Sequence, residues 1–199
     1  MEINDNEVSA KLPTKYGLFY VKAYRYLHEE QPNLAFYTSD IDTSKAVYVR
    51  IHSECMTGDV FGSRKCDCGE QLDYSMKWVQ QHGGIVLYLR QEGRGIGLIN
   101  KLKAYNLQEE GFNTRVANLE LGFHEDTRDY APALAILKDL GVRKINLLTN
   151  NPQKIDAFEG SGIEVTGRTP VEIEPHDDNL DYLKTKKEEM GHLLFTKLS

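Results

Sequence analysis

The chain is short of cysteine and of long apolar runs, and it has no surplus of positive charge. Each lack excludes something. Its three cysteines fall within fourteen positions, at 55, 66 and 68, and the other residues of the 199 include none. An odd and sparse set cannot form a disulfide framework and points to a reducing compartment, the cytoplasm. No apolar stretch reaches the about 20 residues of a membrane span, so no membrane contact is expected. The N-terminal MEINDNEVSAKLP has no basic segment followed by an apolar one, which excludes a secretory signal. Lys and Arg number 24 against 30 Asp and Glu, a net charge of -6. That balance argues against sequence-independent nucleic-acid binding, which needs a basic surface. A small anionic ligand stays open, because local charge decides it. Internal repeats, low-complexity segments and linkers are missing too. With 40% hydrophobic residues, one domain over 1–199 with its own core is expected.

The clustered cysteines carry the first chemical signal. Thiolate is a soft ligand suited to zinc, and three protein ligands leave a fourth tetrahedral position open, as a catalytic metal requires. The plain alternative is packing, since a free cysteine behaves as a small hydrophobe. Cys66 and Cys68 flank Asp67 and precede Gly69 in a polar loop, which favours metal binding.

Residues 12 to 52 read as β structure, with Leu18 to Val21 and Leu34 to Tyr37 as short runs. Ala46 to His52 is the clearest strand: Val47, Val49 and Ile51 face one side, Tyr48, Arg50 and His52 the other. The polar face reads as solvent-facing in the ordinary case, or as a delivery of Arg50, His52 and Glu54 to Cys55. Leu72, Met76 and Val79 mark a helix ended by Gly83 and Gly84. Ile85 to Leu89 suits a strand buried on both faces. RQEGRGIG then turns the chain into a helix with Leu98, Leu102 and Tyr105 on one stripe and Gly111 as its stop. Strand, glycine-rich turn and helix form a general phosphate-binding layout. Residues 112 to 128 show little periodicity. Asp129 to Leu140 reads as a helix with Pro132 near its start, and Ile145 to Leu148 as a buried strand. TNNPQK opens a short helix ending near Gly160. Ile163 to Val165 and Val171 to Ile173 are candidate strands. A last helix covers Leu180 to Leu194, with Lys184 to Lys187 on a solvated face. The pattern predicts one α+β or mixed α/β domain, a mixed sheet flanked by helices.

Five segments together resemble GTP cyclohydrolase II: RIHSECMTGDVFGSRKCDCGEQL, LRQEGRGIGLINKLKAYNLQ, DTRDY, LLTNNPQK and LKTKKEEMGH. The similarity runs from about Lys11 to His192. The family includes fusions to a dihydroxybutanone phosphate synthase domain, and this chain resembles the stand-alone form. The resemblance implies the first step of riboflavin synthesis. GTP and water give formate, pyrophosphate and 2,5-diamino-6-(5-phosphoribosylamino)pyrimidin-4-one, with one zinc per subunit, magnesium, and a cytoplasmic homodimer. It further implies Cys55, Cys66 and Cys68 as zinc ligands. GTP contacts would fall on Arg50, Ile51, His52, Ser53, Glu54, Gln71, Glu92, Gly93, Arg94, Thr114, Thr149 and Lys154. Asp126 would be the proton acceptor, Arg128 the nucleophile, and Tyr105 the residue needed for formate release. One local departure is Lys65, where the family often has arginine: the charge is kept and the planar fork lost.

The chemistry sets its own requirements. Opening the guanine imidazole ring needs a nucleophilic water at C8, which zinc can supply. Three thiolates leave a divalent ion in a net anionic site, so a nearby polar group must help; His52, Glu54 and Tyr105 are candidates. On helical spacing alone Tyr105 reads first as an apolar-stripe residue, and only the family resemblance reverses that. Guanine N1–H and its amine suit a carboxylate acceptor, Glu92 on this reading and otherwise a surface glutamate. Arg94, Thr149 and Lys154 suit the phosphates at strand ends, or else are solvated surface groups. A guanidinium is protonated at neutral pH, so a cationic clamp on the α-phosphate competes with the covalent role for Arg128. Two rivals remain. His52-x-Glu54 fits the first half of a zinc nucleobase deaminase motif, but P-C-x-x-C is missing. A zinc-stapled GTP sensor would close the metal with a fourth ligand such as His52.

Overall fold

The computed structural model describes residues 8–25, 31–124, 126–188 and 190–194. The chain divides into two compact units: residues 1–52, 72–90 and 130–171, here the sheet unit, and residues 53–71, 91–129 and 172–199, here the loop unit. Seven strands and seven helices give an α+β fold among the described residues.

The strands are β1 (Ser9–Thr14), β2 (Gly17–Tyr24), β3 (Asn33–Tyr37), β4 (Val47–Ser53), β5 (Gly84–Leu89), β6 (Lys144–Leu148) and β7 (Glu164–Thr169). They form one mixed sheet in the order β1-β2-β3-β5-β4-β6-β7. The β1–β2, β2–β3 and β3–β5 pairs are antiparallel, whereas β4–β6 and β6–β7 are parallel. As the sequence predicts, β5 is an apolar run buried along most of its length, the pattern of a strand covered on both faces. In β4 the apolar set Val47, Val49 and Ile51 is buried, but so are Arg50 and His52. Its polar face is therefore not the solvated face of an ordinary antiparallel strand. Ile51, Ile85, Leu87, Ile136, Ile145 and Leu147 lie at the centre of the main apolar cluster. Phe19, Met76, Val79 and Val86 form a second cluster.

The helices are α1 (Met56–Asp59), α2 (Cys68–His82), α3 (Gly97–Glu109), α4 (Thr114–Glu120), α5 (Ala131–Asp139), α6 (Pro152–Asp156) and α7 (Leu180–Glu188). A 3-10 turn covers Glu92–Gly95. The region 112–128, of little periodicity in the sequence, holds a short helix: Asn113 caps α4, its side chain accepting from the Val116 N–H at 2.8 Å. Three sequence expectations are corrected. Val171 to Ile173 is not a strand. The Asn150 side chain takes the backbone of Val171 on both sides, donating to its carbonyl at 2.7 Å and accepting from its N–H at 3.1 Å. Helix α7 stops at Glu188; residue 189 and residues 195–199 lie outside the described ones, and 190–194 are not helical. The α3 stripe is not its packing face either, since Leu102 is 47% exposed and Ala104 is the buried residue. No helix among the described residues is long and apolar enough to cross a membrane.

Candidate active site

In the loop unit the sequence brings the three thiols together by close backbone approach. A Cβ on Gly69 would lie 2.3 Å from the Gly58 carbonyl oxygen, and one on Gly58 would lie 3.2 Å from both Cys55 Sγ and Cys66 Sγ. Gly69 admits no side chain without a backbone shift, and one on Gly58 would press on both sulfurs. Asp59 completes the turn, its carboxylate accepting from the Cys55 N–H at 2.9 Å. The three Sγ atoms lie within 4.8 Å of one another, and Cys55 Sγ stands 3.7 Å from Cys66 Sγ. A tetrahedral centre with metal–sulfur bonds of about 2.3 Å separates its sulfurs by about 3.8 Å. The donor set and the spacing therefore fit a thiolate-bound metal. Among the described residues this group consists of the three thiols alone.

The three thiols influence one another. Hydrogen bonds from Cys66 and Cys68, with the Lys101 ammonium beside them, hold the Cys55 thiol far below its ordinary value. Its hydrogen bond to the Cys55 thiolate pushes Cys66 up to about 11, and Cys68 is raised for the same reason. A metal binds the thiolate form, so its binding releases the protons that the cluster still holds.

The Lys101 ammonium donates to Cys55 Sγ at 3.0 Å, Thr57 Oγ1 at 2.9 Å and Glu92 Oε1 at 2.8 Å. Glu92 is buried, not a surface glutamate. Its carboxylate also accepts from the Met56 N–H at 2.6 Å and the Gly93 N–H at 2.7 Å. Tyr105 lies one helical turn after Lys101, so both project from the same face of α3. Burial raises its phenol, with hydrogen bonding to Thr57 and the nearby Lys101 opposing and the thiols adding to the rise. Lys65 rests 5.0 Å over the Tyr105 ring and pairs with Glu109 at 2.8 Å. Tyr105 therefore faces the thiol cluster rather than an apolar stripe.

Asp67, between two of the thiols, is fastened from a distant part of the chain. Lys186 of α7 donates to its Oδ1 at 2.5 Å, and Gln71 to its Oδ2 at 2.6 Å. Lys186 is only 7% exposed, which corrects its placement on a solvated face. Burial opposes its charge, but the Asp67 carboxylate raises it well above the usual lysine value.

The glycine-rich turn is strained at a non-glycine residue: Arg94 takes φ 62°. Such a backbone costs about 1–2 kcal/mol. Thr127 holds it, donating to the Arg94 carbonyl from its N–H at 3.1 Å and its hydroxyl at 2.8 Å. Nearby, Arg128 forks onto Asp126, Nε lying 2.9 Å from Oδ1, with Nη2 on Oδ2. Burial alone would raise Asp126, but the Arg128 guanidinium holds it below the usual carboxylate value. Ser53 accepts from Gln91 at 2.9 Å. Glu54 is half-buried after β4, and Thr114 opens α4, its side chain outside the described ones.

The sheet unit gathers a second set. Arg50, His52, Thr149, Asn150, Asn151 and Lys154 are all buried polar residues, not solvated surface groups. Arg50 donates to the Leu148 carbonyl at 3.1 Å, and Lys154 to the Ile51 carbonyl at 2.7 Å. Asn151 caps α6, accepting from the Gln153 N–H at 3.0 Å, with Pro152 in the first turn. His52 stacks on Tyr88 with centroids 5.5 Å apart. Sequence reasoning missed Lys101, Thr57, Gly58, Asn150, Thr127 and Lys186. For Lys101 the available signal was its i, i+4 spacing from Tyr105.

The sequence matches the family model for GTP cyclohydrolase II over residues 5–170. Riboflavin biosynthesis protein RibBA of Chlorobium phaeovibrioides is 52% identical over 188 residues, 94% of this chain and 46% of that protein. The protein of the same name from Bacillus cereus is 50% identical over 189 residues, covering 94% and 48%. A solved structure of RibBX, a two-domain 3,4-dihydroxy-2-butanone 4-phosphate synthase from A. baumannii, is 20% identical, with a TM-score of 0.46, over 87% of this chain and 40% of that one. The chain spans about half the length of the curated relatives it matches. The chain belongs to the GTP cyclohydrolase II family.

Proposed function

We propose that the chain hydrolyses GTP in the first step of riboflavin biosynthesis, opening the guanine imidazole ring and releasing formate and pyrophosphate. The product is 2,5-diamino-6-(5-phosphoribosylamino)pyrimidin-4-one. Beyond family membership, the observation that carries this reading is the gathering of Cys55, Cys66 and Cys68 sulfurs within 4.8 Å. We assign them to one zinc ion, which when bound activates water for attack at C8.

The chain's own residues supply the rest. Tyr105, packed beside the thiols, carries the reaction through to formate. Arg50 to Glu54, Gln71, Glu92 to Arg94, Thr114, Thr149 and Lys154 hold GTP. The buried cations Arg50 and Lys154 suit its phosphates, because ammonium and guanidinium donors stabilise anionic oxygens. Arg128 acts as a cation: its fork onto the Asp126 carboxylate stabilises the protonated guanidinium and favours a clamp on the α-phosphate over a covalent nucleophile. Magnesium joins through the GTP phosphates. The working form is a cytoplasmic homodimer.

The test is incubation of zinc-loaded protein with GTP and magnesium, with formate, pyrophosphate and ammonia assayed in one tube. Formate and pyrophosphate without ammonia are expected. Ammonia in place of formate would make the chain a deaminase, and GTP binding without turnover would make it a sensor.

A further inference from the structure

Three thiolates around a divalent cation give an electron-rich, net anionic centre, a poor electrophile unless something draws density from the sulfurs. The loop unit holds such a group. Lys101 Nζ has three N–H donors and three acceptors: Cys55 Sγ at 3.0 Å, Thr57 Oγ1 at 2.9 Å and Glu92 Oε1 at 2.8 Å. All its donors are therefore directed, and the ammonium can swing away only by giving up three hydrogen bonds at once. Its side chain is 11% exposed and that of Glu92 is 9% exposed, so solvent screens the contact weakly. Glu92 is itself fixed by the Met56 and Gly93 N–H groups, which ties the ammonium to the backbone next to Cys55.

We propose that Lys101 is a positioning residue that acts through Cys55: its charge-assisted hydrogen bond weakens the donation of that thiolate to the metal and keeps the ion electrophilic. The inference rests on the metal reading of the thiol cluster. Groups outside the ligand set commonly govern a metal's behaviour, and their loss costs about 10–100-fold in affinity or activity. A lysine kept only to balance Glu92 would leave the metal–sulfur bonds unaffected, and this separates the two roles.

The experiment loads the full chain with cobalt(II) and records absorption for the wild type, Lys101→Met and Lys101→Arg. The sulfur-to-cobalt charge-transfer band reports the energy of the thiolate electrons, and the visible bands report tetrahedral geometry. In Lys101→Met the charge-transfer band should move to longer wavelength while the tetrahedral bands stay. In Lys101→Arg, which keeps a donor, it should move back. GTP turnover of the zinc-loaded Lys101→Met protein should fall about 10–100-fold with metal content retained. A band unmoved in Lys101→Met would overturn the proposal. If Lys101→Met does not fold, Glu92→Gln, which loosens the ammonium, gives the same reading: a shifted band supports the proposal and an unmoved band overturns it. A wild type with no charge-transfer band would instead sink the metal reading itself.

Discussion

The sheet unit and the loop unit are each held internally by different forces. Both apolar clusters, from Ile51 to Leu147 and around Phe19, belong to the sheet unit. Its buried cations close onto backbone carbonyls, as Arg50 does on Leu148 and Lys154 on Ile51, and its ion pairs, such as Lys15 with Asp73 and Lys144 with Glu164, are solvent-exposed. The loop unit has no such cluster among its described residues. It leaves Val60, Phe61, Ile99, Leu102 and Leu119 exposed and is fastened by ionic and sulfur contacts: Lys101 to Cys55 and Glu92, Lys186 to Asp67, Arg128 to Asp126. Among the described residues, the sheet unit buries apolar side chains, whereas the loop unit buries ion pairs. Substitutions should therefore injure stability in the first and chemistry in the second.

Cys66→Ser should have the largest effect. It removes one thiolate of the metal set, so bound zinc and formate production should both vanish, while circular dichroism of the sheet stays unchanged. Second is an ion pair that crosses the division, because it belongs to the loop unit yet should govern stability. Lys186→Met leaves the buried Asp67 carboxylate without its counter-charge and should cost about 3–5 kcal/mol in urea unfolding. Adding Asp67→Asn should recover part of that loss. Third, Lys154→Met leaves the buried Ile51 carbonyl without its donor, a cost of about 1–3 kcal/mol, and should raise the KM for GTP. A KM change without a stability change would mean that the carbonyl finds another donor.

The smallest effect is a pH dependence. Asp126 is held below its ordinary value in the folded chain, so its contribution is complete above the unfolded value of about 3.9 and is lost as pH falls through the lower folded value. The stability difference between wild type and Asp126→Asn should be flat above about pH 5 and shrink below about pH 4. A difference growing with acidity would show that Arg128 does not stabilise the carboxylate.

The same division explains what was legible in the sequence. The sheet unit follows apolar periodicity, so β4, β5, β6 and α5 could be read within a few residues. Where it misled, at Val171, a side-chain amide had replaced the strand ladder, a contact between residues 150 and 171 that no local pattern encodes. In the loop unit the reactive residues announced themselves by type and spacing, but their fastenings did not. Lys101 and Lys186 are lysines on helices, which read as solvated when the partner lies 46 or 119 residues away. Helix α4 was hidden because its short polar sequence begins from a cap at Asn113 rather than from an apolar stripe.

On the proposed function, the thiol cluster of the loop unit holds the metal that activates water for ring opening. That role is tested most directly by stripping the protein of metal with a chelator, titrating zinc back, and measuring formate from GTP at each addition. Formate production should be absent from the stripped protein and rise in proportion to bound zinc until the cluster is filled. Full formate release from stripped protein, or zinc binding without formate, would show that the thiol cluster does not hold the catalytic metal.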